Sequence, residues 1–178
     1  MGNASTLVLV TGLPGTGKST VATVAADMLG TAVIAHDWAM SGLRPYPAIQ
    51  AALDDMEWGH RLVGWSILAA LARAQLAENR SVVLDGVARA AQREQCEAVA
   101  RTAGAAFLLL TTRCSDPALH RSRIVGRQRL IPDWYELRWE EVEHAIAGWE
   151  HVEGDLDLDT ARPWSENEVA LRRFLADR

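Results

Sequence analysis

Residues 12–19 read Gly-Leu-Pro-Gly-Thr-Gly-Lys-Ser and fit the pattern G-x-x-x-x-G-K-[ST]. Glycine lets backbone N–H groups turn inward around an anion, because no side chain blocks the approach. A helix starting after such a loop points its positive end at the same anion. Lys18 is then spaced to reach the β- and γ-phosphates of a nucleoside triphosphate, and the Ser19 hydroxyl to reach a Mg²⁺ ion. Of the 18 basic residues 17 are arginine, and Lys18 is the single lysine. A compact ammonium on a flexible stem is not interchangeable with a planar guanidinium, so a lysine kept in an arginine-only chain marks a position that needs it. Nucleotide contacts are expected from Gly12, Leu13, Pro14, Gly15, Thr16, Gly17, Lys18, Ser19 and the adjoining Thr20.

Two acids follow short apolar runs: Asp37 after AVIA and Asp85 after SVVL. A carboxylate can orient an alcohol for in-line attack, and in phosphoryl transfer positioning counts for more than basicity. Each also has a plainer reading, Asp37 as a helix cap or solvated loop acid and Asp85 as a turn acid before Gly86. His36, beside Asp37, reads as structural. Further on, His120 to Arg129 carries four arginines. If the segment is helical, Arg123 and Arg127 are i, i+4 and share one face. There a guanidinium fork can grip phosphate oxygens and offset charge developing during transfer. Gly126 would loosen such a helix, as a closing lid requires. Arg129 lies about 200° around it from Arg127 and is expected to matter less. The plainer reading of this cluster is a solvated basic face.

The elements that must position these residues alternate. Thr6 to Val10 (TLVLV) reads as a strand buried on both faces. A helix is expected from about Lys18 to Leu29, ended by Gly30. Further strands are expected at 32–35, 81–84, 105–110 and 155–159. Helices are expected at roughly 48–78, 89–102 and 134–149, with another opening at Asp116-Pro117. A closing helix is expected over 165–176, with Ser165 as N-cap and Glu168 completing a capping box. Strands alternating with helices imply a parallel sheet covered on both faces, with chemistry beyond the carboxyl ends of its strands. The fold class is therefore α/β, a three-layer α/β/α arrangement around a five-stranded parallel sheet.

Length and composition set the bounds. A chain of 178 residues suits one compact domain, expected to span 1–178. Its 49% hydrophobic content excludes global disorder, and no apolar run reaches the ~18 residues of a membrane span. Two cysteines, Cys96 and Cys114, are too few for a disulfide framework and match no zinc spacing. With no secretory leader pattern at the N-terminus, a cytoplasmic home is expected. The net charge of −5 disfavours a dedicated nucleic-acid binder.

GLPGTGKST, an acid just after the second strand, VVLDG, and an arginine-rich segment after the fourth strand together resemble the small P-loop kinases. That group is similar to gluconate kinase, chloramphenicol phosphotransferase, zeta-toxin kinases and the kinase domain of polynucleotide kinases. The resemblance covers most of the chain and implies a P-loop NTPase fold with a helical lid, here at about 116–132. It implies ATP and Mg²⁺, with Asp37 as the base that accepts a hydrogen bond from the acceptor hydroxyl. Asp85 resembles a Walker B acid, which binds the metal with Ser19 or contacts substrate. Arg121, Arg123 and Arg127 match the R-x-R-x-x-x-R pattern of the lid, with Arg121 on the nucleotide and Arg123 and Arg127 on the transferred group. Lysine content and length already set two other P-loop classes aside. A Ras-type switch protein needs a second lysine for its N-K-x-D element, and the chain is short for a AAA+ motor with a helical lid domain. Polynucleotide kinases resemble D-x-x-R after strand two, whereas Met40 stands three residues after Asp37.

The expectation is therefore an ATP-dependent kinase of a small hydroxyl-bearing molecule such as a sugar, nucleoside or natural product. The alternatives are a 5′-hydroxyl polynucleotide kinase or a regulatory module that binds ATP and hydrolyses it slowly. Of seven tryptophans most read as core, and Trp38 is the best placed to face a substrate. Arg44, Arg89 and Arg93 could meet a charged acceptor but read first as surface arginines.

Overall fold

The computed structural model describes residues 5–150 and 152–178. Its elements run β1 (Thr6–Gly12), α1 (Lys18–Leu29), β2 (Val33–Ala35), α2 (His36–Ser41), α3 (Pro47–Asp55), α4 (Gly59–Ala77), β3 (Val82–Asp85), α5 (Ala90–Ala103), β4 (Ala106–Arg113), α6 (Pro117–Ser122), α7 (Trp139–Ala147), β5 (Leu156–Asp159) and α8 (Trp164–Ala176). The five strands form one parallel sheet in the order β2-β3-β1-β4-β5. Helices cover both faces, the three-layer P-loop NTPase architecture.

Strand periodicity builds the two core layers. Successive side chains of β1 point to opposite faces. Leu7 and Leu9 therefore pack with Trp65, Leu68 and Ala72 of α4 and Cys96 and Val99 of α5. Val8 and Val10 pack with Val21 and Ala25 of α1 and Leu171 of α8. All four β1 side chains are fully buried, each worth roughly 1.5–3 kcal/mol relative to exposure. Register then aligns the chemistry. Val10 pairs with Asp85, Ala35 with the same Asp85, and Gly12 with Thr112. The carboxyl ends of β1, β2, β3 and β4 thus finish at one rim of the sheet.

Several boundaries differ from expectation, each for a local reason. The helix expected over 48–78 is two helices. Trp58 takes a left-handed backbone (φ 61°) between them, and Gly59 packs so tightly on Leu53 that an added Cβ would sit 2.3 Å from its carbonyl oxygen. The helix expected over 134–149 begins only at Trp139, because Tyr135 and Glu136 bind Arg129 instead. The Ser165 capping box does not form. Helix α8 starts one residue earlier behind Pro163, where Asn167 Nδ2 donates to Asp159 O at 3.0 Å and ties the helix to β5. Helix α6 stops at Ser122, so the expected helical lid is one short helix followed by turns. Arg123 is its C-cap, Gly126 sits at φ +73°, and Arg127 is not helical. Arg123 and Arg127 therefore do not share a helix face. No helix among the described residues is long and apolar enough to cross a membrane.

Candidate active site

The loop between β1 and α1 is shaped by what its glycines exclude. Gly15 and Gly17 adopt φ +82° and +87°, which favours glycine. A Cβ on Gly15 would lie 2.8 Å from Ile124, and one on Gly17 3.0 Å from Thr160. Thr16 braces the loop from inside, its hydroxyl 2.7 Å from both Leu13 O and Thr112 Oγ1. His120 holds it from outside, donating from Nε2 to Pro14 O at 2.6 Å. Arg123 caps the far side with two bonds of 2.7 Å, to Thr160 Oγ1 and Thr160 O, and Thr160 in turn donates to Thr16 O at 3.0 Å. Neither His120 nor Thr160 stands out in the sequence. A histidine in a predicted helix and a threonine past the last strand give no signal until the fold brings them to the loop.

Lys18 arches back over the loop and donates to Leu13 O at 2.9 Å. Burial pushes its ammonium below the usual lysine value, against the attraction of Asp85 and Asp37. Ser19 donates to Asp85 Oδ2 at 2.9 Å. Asp85 is buried, and burial raises its carboxyl above the usual range although Lys18 and Ser19 favour the charged form. Two hard oxygens side by side, one on a carboxylate that burial leaves under-solvated, would suit a magnesium ion. Among the described residues no cluster of three or more acidic, histidine or cysteine side chains forms a closed metal site.

Asp37 lies in the first turn of α2 rather than in a loop. Its Oδ1 is 3.4 Å from His36 Nδ1, and its Oδ2 accepts from Arg129 Nη1. Burial alone would raise this carboxyl, but the His36 hydrogen bond and the Arg129 charge outweigh it and hold it below the usual value. Arg129 is itself fixed: its Nε donates to Glu136 Oε2 at 3.0 Å and its Nη2 to Tyr135 O at 3.0 Å. Arg129, set outside the expected arginine pattern, is the arginine of this segment that touches Asp37.

All of this opens into one cavity of about 1170 Å³. Lys18, Ser19, Asp85 and Arg127 line it, as do Asp37 and Trp38. Burial lowers the Arg127 guanidinium, and its neighbour Arg129 lowers it further. Arg121 is exposed on α6 and does not line the cavity. The sheet rim thus brings together Lys18, Ser19, Asp37, Asp85, Arg123 and Arg127, and leaves Arg121 apart.

Known proteins share these features to different extents. A UPF0200 protein of Aeropyrum pernix is 33% identical over 113 residues, covering 58% of this chain and 56% of that relative. The chain thus spans about half the length of that curated relative. A gluconokinase from Sinorhizobium meliloti shares the fold at TM-score 0.69 and 18% identity, over 98% of this chain and 93% of that one. The Mycobacterium tuberculosis APS kinase, solved with AMPPNP and APS, does so at TM-score 0.61 and 21% identity, over 97% and 98%. Residues 7–147, which carry the phosphate loop, both acids and the arginine segment, match the AAA domain family AAA_33, and the chain belongs to that family.

Proposed function

We propose that the protein is an ATP-dependent phosphotransferase that moves the γ-phosphoryl group to a hydroxyl of a small molecule. The observation that carries this reading is the single cavity in which a phosphate loop with Lys18 faces an acid, Asp37, held at the end of the neighbouring strand. Its volume of about 1170 Å³ exceeds the roughly 300–1,000 Å³ of most small-molecule sites, enough for a nucleotide and an acceptor together. Fold likeness to a gluconokinase and an APS kinase supports the class of reaction.

The loop amides and Lys18 bind the triphosphate, Lys18 exchanging its bond to Leu13 O for a phosphate oxygen. Ser19 and Asp85 would hold magnesium, which when bound neutralises charge on the phosphate oxygens. Arg129 holds Asp37 Oδ2, and the acceptor hydroxyl would use a second lone pair of Oδ1, the oxygen that His36 contacts at 3.4 Å. As the acceptor oxygen bonds to the γ-phosphorus, its proton passes to Asp37 and the bond to the β-bridging oxygen breaks, releasing ADP. Arg127 offsets charge on the transferring group, and Arg123 braces the loop through Thr160. The segment 116–132 closes the nucleotide side.

A polynucleotide acceptor is disfavoured by Met40. It stands where the nucleic-acid kinases resemble arginine, and its side chain is fully buried. A mutant pair tests the proposal. Lys18→Ala is expected to keep the fold and lose most MgATP affinity by calorimetry. Asp37→Asn is expected to keep ATP affinity within a few-fold and lower acceptor-stimulated turnover by ~10² or more. Near-normal kcat in Asp37→Asn with a saturating alcohol would reject the base role. ATP hydrolysis that no small alcohol stimulates would indicate a regulatory module instead.

A further inference from the structure

Eight cationic side chains line the cavity, Lys18 and seven arginines, against three carboxylates, although the whole chain carries a net charge of −5. The carboxylates are engaged: Asp85 with Ser19, Asp37 with Arg129 and His36, and Asp54 with His60 at 2.8 Å. The nucleotide end accounts for Lys18, Arg123 and Arg127. Elsewhere in the lining Arg44, Arg61 and Arg89 have no carboxylate partner among the described residues.

Arg61 is the centre of this group. It lies one turn before Trp65 on α4, so both project from one helix face, and the Trp65 ring is 5.9 Å from His36, the neighbour of Asp37. Arg61 Nε is buried with no hydrogen-bond partner, and its guanidinium lies 4.4 Å from the Trp58 ring centroid. Burial and the nearby charge of Arg89 both disfavour its cation. Arg89 follows Gly86, where an added Cβ would sit 2.9 Å from Trp65, and among the described residues its guanidinium donates only to the Gly148 carbonyl, at 3.1 Å. Arg44 donates to the neutral Gln50 amide at 3.0 Å, and its Nε is likewise buried and unpaired. Its guanidinium is 5.1 Å and 5.6 Å from the ring centroids of Trp134 and Tyr135. A buried donor without a partner costs about 1–3 kcal/mol, more on a charged group. Three arginines thus line the cavity with no carboxylate to balance them, two with a buried Nε left unpaired and two repelling each other, a surplus of positive charge that the nucleotide site does not use.

We infer that the acceptor is itself an anion, a hydroxyl-bearing carboxylate or phosphate ester, whose charged group docks on Arg61 and Arg89 with Arg44 at its flank. This rests on the kinase reading for the word acceptor, but its test does not need turnover. The phosphate loop is first filled with MgAMPPNP. Tryptophan fluorescence, reported by Trp65 and Trp134 in the cavity wall, is then followed while acetate, inorganic phosphate, gluconate, glucose 6-phosphate and glucose are titrated in. Saturable binding is expected for the anions and not for glucose. The carboxylate and phosphate arms distinguish the two sources of charge.

Arg89→Gln, at an exposed position, and Arg61→Gln are each expected to weaken anion binding about tenfold or more, the scale of one lost charge-assisted bond. Arg61→Lys should restore part of it. Arg73→Gln, exposed on the same helix and away from the cavity lining, should change nothing. If no anion binds the wild type, if glucose binds as well as the anions, or if the Arg89 variant binds them unchanged, the inference is overturned. MgAMPPNP affinity, measured in the first step, separates that failure from failure of the nucleotide site.

Discussion

At the scale of single residues, the phosphate loop was the most legible feature, because its chemistry is written in contiguous types. Gly12 to Ser19 needs no tertiary information, and a lone lysine among 17 arginines points to itself. Asp37 and Asp85 were legible through their places at strand ends. What sequence could not show is which arginine serves which acid. Helical geometry made Arg123 and Arg127 a pair and set Arg129 aside, whereas the chain leaves the helix at Ser122 and Arg129 turns back onto Asp37. Arg129 is thus a positioning residue for the candidate base. Arg129→Ala is expected to lower kcat about tenfold or more with little change in KM for ATP. It should also move the acid limb of the kcat/KM profile to higher pH, because the Arg129 charge helps hold the Asp37 carboxyl low. A pH–rate series on this variant checks both. An unmoved acid limb would mean that Arg129 and Asp37 part company before chemistry.

Elements are legible in the sequence where burial enforces a period, and hidden where a contact distant in sequence overrides propensity. The apolar runs of β1 and β3 predicted their strands because both faces are covered. The break at Met56–Trp58 was hidden, since nothing in the local pattern states that Gly59 will pack on the Leu53 backbone. The start of α7 was hidden too, because it depends on Arg129 taking Tyr135 and Glu136. One helix position carries a consequence for the site. Gly64 on α4 lies under His36, and a Cβ there would be 2.2 Å from His36 Nε2. Gly64→Ala is expected to cost roughly 1–3 kcal/mol through overpacking and to displace the ring that contacts Asp37 Oδ1. Urea unfolding together with steady-state kinetics should show both losses at once. Wild-type stability and kcat in this variant would show that His36 has room to move.

At the scale of the whole molecule, the sheet gathers acids of opposite titration behaviour at one rim. Asp37 is held below the usual carboxylate value, so its contribution to stability is complete above the unfolded value, about pH 4, and fades as pH falls through the folded one. Asp85 is raised by burial, so the folded chain holds its proton longer than the unfolded chain. Its effect has the reverse sign: stability is fullest below the unfolded value and declines as pH rises through the folded one. Asp85→Asn removes that decline while keeping an oxygen to accept from Ser19. The substitution also deprives Lys18 of a counter-charge, which shifts absolute stability by an amount set by how Lys18 resolvates. The expected signature is therefore a slope. Urea-unfolding free energies from pH 4 to 7 should rise for Asp85→Asn relative to wild type as pH increases, whatever their difference at pH 4. Parallel curves would mean that Asp85 titrates alike in the folded and unfolded chains, and that the sheet rim does not hold a carboxylate poised for a cation.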